Sequence, residues 1–286
     1  MQANNSYPLA KKTLENPTTQ IEVNGIKIGG NDMALIAGPC AVETEEQIFS
    51  IAEFLSEKGI KIMRGGAYKP RTSPYSFQGL QLDGLKLLKS VATKYDMAII
   101  TEVLDLSLLD TVYPYADILQ IGARNMKNYH FLKELGKTDK PILLKRGMDA
   151  TIEEWLLAAE YILLGGNSKV ILCERGIRTF DHTTRNTMDI AAIPIVKQLS
   201  HLPIIADPSQ ASGNRDIVTP LSLAAIAAGA DGLMIEVHNN PDKALSDGPQ
   251  SLKFEQFSDL MDKLKTLQNM SGKILADKAL NTEFSR

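Results

Sequence analysis

The chain reads as an α/β protein, a closed (β/α)8 TIM barrel with a short N-terminal β-hairpin extension. Three observations predict this. Eight short apolar runs recur along the sequence, and segments with apolar residues three and four positions apart lie between them. No Gly-x-Gly-x-x-Gly turn follows the first run, which argues against the runner-up, an open doubly wound sheet.

Residues 1–20 are polar and are expected to be partly disordered. Ile21 to Ile28 then forms two alternating runs joined by Asn24-Gly25, a strong short hairpin signal, and this hairpin would cap the N-terminal end of the barrel. The apolar runs lie at 33–39, 60–66, 97–103, 118–122, 141–146, 169–174, 203–207 and 232–237. Each is short and apolar on both faces, as strands of a parallel sheet covered by helices must be. Helical periodicity is clear over Glu45–Lys58, Leu82–Tyr95 and Ile152–Leu164. The expected organisation is an extension over 1–32, a barrel over 33–270 and a polar tail over 271–286. It is expected to leave no second domain, and no room for a separate regulatory module beyond the short N-terminal segment.

With 286 residues, 44% hydrophobic and 23% charged, the chain can bury a sizeable core. A net charge of −3 gives no general attraction to nucleic acid or to an anionic membrane, so any anion site must be a local concentration of cations. Cys40 and Cys173 cannot make a disulfide framework and suggest a reducing compartment. With no apolar leader and no run of about 18 apolar residues, the expected location is the cytoplasm.

In a barrel, chemistry sits at the C-terminal ends of the strands. Those ends carry Gly38-Pro39-Cys40, then Arg64 followed by Lys69 and Arg71, then Arg124, Lys145-Arg146, Glu174-Arg175, Asp207-Pro208-Ser209-Gln210, and Glu236-Val237-His238 with Asp247 beyond. The stretch Lys69-Pro70-Arg71-Thr72-Ser73 puts two cations and two hydroxyls on a proline-stiffened loop, a combination suited to a phosphate. Cations from several strand ends would converge on one mouth, where their repulsion must be relieved by a polyanion or by carboxylates. Two readings follow: a phosphate- and carboxylate-binding site, or an internal ion-pair network with Glu174, Asp207 and Glu236. Cys40, Glu236 and Asp247 form a second set of the sort that holds Zn, Fe or Mn, although Cys40 alone also reads as a small buried hydrophobe.

These strand-end motifs, with Ile121-Gly122-Ala123-Arg124-Asn125 and Ala244-Leu245-Ser246-Asp247-Gly248, resemble 3-deoxy-D-arabino-heptulosonate 7-phosphate (DAHP) synthases of the short microbial type Iβ, over about residues 20–265. The resemblance implies condensation of phosphoenolpyruvate with erythrose 4-phosphate, the first step of the shikimate pathway. It implies that Lys69, Arg124, Lys145 and Arg175 hold phosphoenolpyruvate, with Arg64 close by and Asp207 in the same site. Arg71, Thr72 and Ser73 would hold the sugar phosphate, and Lys145, Cys40 and Lys69 would serve catalysis. A dimer or tetramer is implied as well.

The family's four metal ligands are a cysteine, a histidine, a glutamate and an aspartate. Cys40, Glu236 and Asp247 match, but Gln210 stands in place of the histidine. An amide oxygen is a weaker donor than imidazole, so the divalent metal (Mn, Zn or Fe) is expected to be held weakly or to be dispensable. Asn239-Asn240 departs from the family's usual proline-containing stretch. Other readings are a paralogue acting on another aldehyde, such as arabinose 5-phosphate or a secondary-metabolite precursor, and a ligand-binding barrel without turnover. The Lys69-Pro70-Arg71-Thr72-Ser73 run favours the four-carbon acceptor, because octulosonate-phosphate synthases resemble Asn-Arg-Ser-Ser there.

Overall fold

The computed structural model describes residues 6–275. Strands β1 (Ile21–Val23) and β2 (Ile26–Ile28) form the antiparallel hairpin expected from Asn24-Gly25, whose φ angles of 50° and 75° give the doubly left-handed turn that matches strand twist. Eight parallel strands follow: β3 (Asp32–Gly38), β4 (Ile62–Arg64), β5 (Ala98–Glu102), β6 (Ile118–Ile121), β7 (Ile142–Lys145), β8 (Val170–Glu174), β9 (Ile204–Ala206) and β10 (Gly232–Glu236). Each pairs with the next in chain order, and β10 pairs with β3 from Gly232↔Ala34 to Glu236↔Gly38, which closes the barrel. Every apolar run expected to be a strand is one.

The helices are α1 (Glu45–Glu57), α2 (Gln81–Tyr95), α3 (Leu109–Val112), α4 (Tyr129–Leu135), α5 (Ile152–Leu164), α6 (Ala192–Leu199), the short α7 (Pro208–Ser212), α8 (Val218–Ala227) and α9 (Phe254–Ser271). Helix α1 starts where the Thr44 side chain accepts the Gln47 N–H, and it buries Ile48, Ile51, Ala52 and Leu55 along one stripe. Thr151 and Glu154 cap α5 reciprocally, and its Trp155 Nε1 donates to the Leu144 carbonyl on β7. The longer helices thus bury one apolar stripe against the outside of the barrel.

A second apolar set fills the barrel itself. Ile36, Ile62, Ile100, Ile118, Leu143, Ile171, Ile205 and Met234 project inward and meet Ile21, Val23, Ile26 and Ile28 of the hairpin. The hairpin therefore plugs the N-terminal end, as expected, and leaves the opposite end for chemistry.

The N-terminal segment departs from expectation. Residues 7–12 and Thr19 are held against α5, α6 and His201, while the turn over residues 13–18 between them is exposed. Tyr7 and Ala10 are buried, and Glu160 accepts the backbone N–H groups of Leu9 and Ala10 at 2.9 and 2.8 Å. The buried His201 donates from Nε2 to the Leu9 carbonyl and accepts from the Thr19 hydroxyl at Nδ1, each at 2.7 Å. Two apolar anchors and these hydrogen bonds together dock it. At the other end, the segment expected as a tail begins with a paired strand, β11 (Ile274–Leu275), against Asp32 and Met33. Residues 1–5 and 276–286 lie outside the described residues.

Because Ile28 is fully buried in the plug, Ile28→Ala should cost about 2–5 kcal/mol, measured as a lower urea midpoint at unchanged slope.

Candidate active site

Two residues beyond the apolar inward layer, the same face of each strand turns polar. Ile62 is followed in this register by Arg64, Ile100 by Glu102, Ile118 by Gln120, Leu143 by Lys145, Cys173 by Arg175, Ile205 by Asp207 and Met234 by Glu236. The strands therefore carry a ring of charged and amide groups at the open end, above a floor of aliphatic side chains.

Above that ring lies a cavity of about 350 Å³. Seven cations line it, Arg64, Lys69, Arg71, Arg124, Lys145, Arg175 and Arg185, together with Thr72, Ser73 and the carboxylates of Glu102 and Asp247. Asp207 and Glu236 lie fully buried just beneath, paired with Lys145 Nζ at 2.6 Å and with Arg64 Nη1 at 3.0 Å. Seven cations against four carboxylates leave an excess of three positive charges. The ion-pair network expected of the strand ends forms in part. Asp207 and Glu236 neutralise two cations, whereas Glu174 faces away from the mouth and binds Arg146 at 3.0 Å.

Several donors remain free for a ligand. Among the described residues, Arg71, Arg124 and Arg175 make no ion pair. Arg71 Nε donates to the Phe77 carbonyl at 3.0 Å, which leaves its buried Nη2 without a partner. Arg64 approaches Glu236 off the line of a hydrogen bond, so its Nε and Nη1 also lack an aligned acceptor. Unpartnered buried donors are costly, and a bound oxyanion satisfies them.

The sulfur of Cys40 and one oxygen each of Glu236 and Asp247 lie within 4.8 Å of one another. Cys40 Sγ contacts Ser246 Oγ at 2.9 Å and Asp247 Oδ2 at 3.2 Å, while Lys69 Nζ lies 3.1 Å from the sulfur and donates to the Cys40 carbonyl at 2.9 Å. The fourth expected ligand, Gln210, is adjacent but turned the other way. Its Nε2 donates to Glu236 Oε1 at 2.8 Å and to Asp247 Oδ2 at 3.1 Å, and its Oε1 accepts from Arg175 at 3.1 Å. One thiol and two carboxylates suit a divalent cation with an open position, so three of the four expected residues fit such an ion. The Gln210 amide, with its N–H2 toward the cluster, does not.

Charge sets the protonation states. Burial pushes the Cys40 thiol up to about 11, offset only in part by Lys69. Burial disfavours the Asp247 carboxylate, yet Arg185, the Cys40 thiol and Lys69 bring it down to about 2. Burial likewise opposes charge on Asp207, and Lys145 and Arg64 outweigh it and hold the carboxyl below the ordinary aspartate range. For Lys69, burial is outweighed by Cys40 and Glu102, which keep the ammonium above its usual value.

Four residues of the site escaped sequence reading. Glu102 and Gln120 were within reach, since counting two from Ile100 and Ile118 places both inward. Arg185 and Gln250 were not. Arg185 reaches in from the loop after β8, to Asp247 at 3.4 Å and Gln250 at 2.9 Å, and no periodicity in that loop marks it.

Residues 12–271 match the model of the DAHP synthetase I family. The chain belongs to that family. A phospho-2-dehydro-3-deoxyheptonate aldolase of Thermotoga maritima is 54% identical over 93% of this chain and 79% of its own length. The crystal structure of a DAHP synthase from that organism superposes with a TM-score of 0.91 at 54% identity, covering 93% of this chain and 78% of that one. A 2-dehydro-3-deoxyphosphooctonate aldolase of Syntrophobacter fumaroxidans is more distant, 32% identical over 85% of this chain and 90% of its own length. As a DAHP synthetase I family member the chain is an enzyme, and the barrel mouth with its cation ring is its candidate active site.

Removing Asp207 would leave the Lys145 ammonium buried and unpaired, so Asp207→Asn should lower stability at pH 7 by about 3 kcal/mol or more. The native carboxyl lies below its unfolded value of about 3.9, so its contribution is complete above that pH and fades as pH falls through the native value. The gap between parent and variant in urea denaturation should therefore shrink below about pH 4.

Proposed function

We propose that the protein condenses phosphoenolpyruvate with erythrose 4-phosphate and water to give 3-deoxy-D-arabino-heptulosonate 7-phosphate and phosphate, the entry step of the shikimate pathway. The observation that carries this reading is the excess of three positive charges in a mouth that also holds the thiol–dicarboxylate cluster. Phosphates and a carboxylate are anions of the kind that such an excess attracts.

Lys69, Arg124, Lys145 and Arg175 hold phosphoenolpyruvate, with Arg64 and its unaligned donors beside them and Asp207 fixing Lys145 from below. Arg71, Thr72 and Ser73, together on the loop after β4, take the phosphate of the sugar and so aim its aldehyde down the barrel axis. C3 of the enol attacks the aldehyde carbon, and water adds to C2. Lys145 delivers a proton to the aldehyde oxygen, directly or through water. As the added water becomes the C2 carbonyl it gives up two protons, one restoring Lys145 and one leaving with phosphate. The bond between C2 and the bridging oxygen breaks, and the surrounding cations stabilise the charge on the leaving group. Cys40, Glu236 and Asp247 are the residues that would hold a divalent cation (Mn, Zn or Fe), which when bound supplies Lewis-acid polarisation of the aldehyde oxygen. Lys69, against the Cys40 sulfur, offsets charge there and fixes the side chain.

The partners are thus small phosphorylated metabolites rather than nucleic acid or membrane. Among the described residues, no helix is long and apolar enough to cross a membrane. Both cysteines are free and buried, which supports a cytoplasmic setting. Assembly as a homodimer or homotetramer rests on family resemblance and is read by light scattering.

The test is phosphate release from phosphoenolpyruvate with erythrose 4-phosphate, run in parallel with arabinose 5-phosphate. Turnover with the four-carbon sugar is expected. Turnover with arabinose 5-phosphate alone, or with neither, would overturn the reading. Arg71→Ala should raise KM for erythrose 4-phosphate about tenfold or more through loss of charge-assisted hydrogen bonds, and leave KM for phosphoenolpyruvate little changed. Lys145→Met should lower kcat by about 10²–10⁴.

A further inference from the structure

Gln210 is the third residue of α7, fixed by its N–H, which donates to the capping Asp207 at 2.9 Å. From there its amide enters a gap between three charged groups. The N–H2 faces Glu236 and Asp247, and the carbonyl faces Arg175. This orientation is forced. Turned over, the amide would set its oxygen against two carboxylates and its N–H2 against a guanidinium, losing all three hydrogen bonds for repulsive contacts. Gln250 repeats the bridge from the other side, donating to Glu236 Oε2 at 2.7 Å and approaching Asp247 Oδ2 at 3.4 Å. Arg64 and Arg185 supply positive charge to the same two carboxylates.

We propose that Gln210 is a bridge and not a metal ligand: its N–H2 stands between Glu236 and Asp247 where a cation would otherwise draw them together, and its carbonyl holds Arg175 in place for the anionic substrate. The thiol–dicarboxylate cluster is then self-supporting without metal, and it takes up a divalent ion through three protein donors and with correspondingly low affinity. Ligation through Oε1 requires the amide to turn over, which releases Arg175 and points two donors at it. Gln210 is in this sense a positioning residue, coupling the cluster to the anion-binding arginine. The claim about Arg175 rests on the reading of the mouth as a phosphoenolpyruvate site; the claim about metal does not.

The experiment has two arms. In the first, cobalt(II) is titrated into metal-stripped parent and Gln210→His, followed by the thiolate-to-cobalt absorption band, and retained metal is counted by mass spectrometry after desalting. The parent should lose its metal on desalting, and Gln210→His should bind cobalt about ten- to a hundredfold more tightly, since imidazole brings a ligand where the amide brings donors. A parent that keeps one equivalent through chelation and desalting, or a histidine variant that binds no tighter, would overturn the proposal.

The second arm serves if the histidine variant does not fold. Gln210→Leu removes the bridge at similar volume. Its metal-free form should melt several degrees below the metal-free parent, and its KM for phosphoenolpyruvate should rise about tenfold while KM for erythrose 4-phosphate holds. Unchanged melting and unchanged KM would also overturn the bridge. If phosphoenolpyruvate proves not to be a substrate, the cobalt arm still decides the proposal.

Discussion

Like charge gathered at low dielectric is the constraint around which this active site is built. Lys145 and Arg64 are buried at the end of the barrel, and neither charge is tolerable there alone. Asp207 and Glu236, fully buried on neighbouring strands, make the two tolerable, and in doing so they fix both side chains relative to the sheet. The compensation is incomplete. Arg71, Arg124 and Arg175 add charge that no carboxylate of the described residues pairs. The buried carboxylates thus secure the fold, and the residual positive charge is what the proposed anionic substrates would meet.

The hairpin and the aliphatic layer serve the same end. A barrel open at both ends would admit water beneath the ion pairs and weaken them by raising the local dielectric. Ile21, Val23, Ile26 and Ile28 seal the far end, and the inward aliphatic ring makes a dry floor two residues below the charges. The loops then add what rigid strands cannot. The loop after β4 carries Arg71, Thr72 and Ser73 to the rim, and the loop after β8 carries Arg185. Gly122 lets the chain after β6 pass close to Glu102, since a Cβ there would lie 2.1 Å from its carboxylate oxygen. Backbone contact of that kind keeps Glu102 at the wall of the cavity, among the cations.

What could be read from the sequence follows from periodicity. Strands buried on both faces are continuous apolar runs, and all eight were legible for that reason. The strand-end residues Arg64, Lys145, Arg175, Asp207 and Glu236 inherit their positions from those runs, so they too could be placed. Glu102 and Gln120 obey the same parity but carry no motif. Arg185 and Gln250 lie in loops, where no repeat ties residue number to direction. The N-terminal segment misleads in the opposite sense. Its polar composition suggests partial disorder over residues 1–20, yet within the described part Tyr7, Ala10 and the His201 contacts anchor it, because docking depends on a few well-placed groups rather than on average hydropathy.

Gln210 shows where pattern and physics part. Compared as a list of ligands, the chain has three donors and one loss. Seen as a set of donors and acceptors, it has lost nothing. Every polar atom of the Gln210 amide faces a complementary partner, and the amide ties together three groups drawn from the ends of β8, β10 and the loop beyond. An imidazole at that place could not serve all three, since a neutral ring has one donor and one acceptor. On the proposed reading, Gln210 serves the site by hydrogen bonding rather than coordination, at the residue that joins the thiol–dicarboxylate cluster to Arg175. On that same reading, a barrel with these cations, this loop after β4 and these buried ion pairs would bind and orient two phosphorylated substrates while depending less on a bound ion for that geometry.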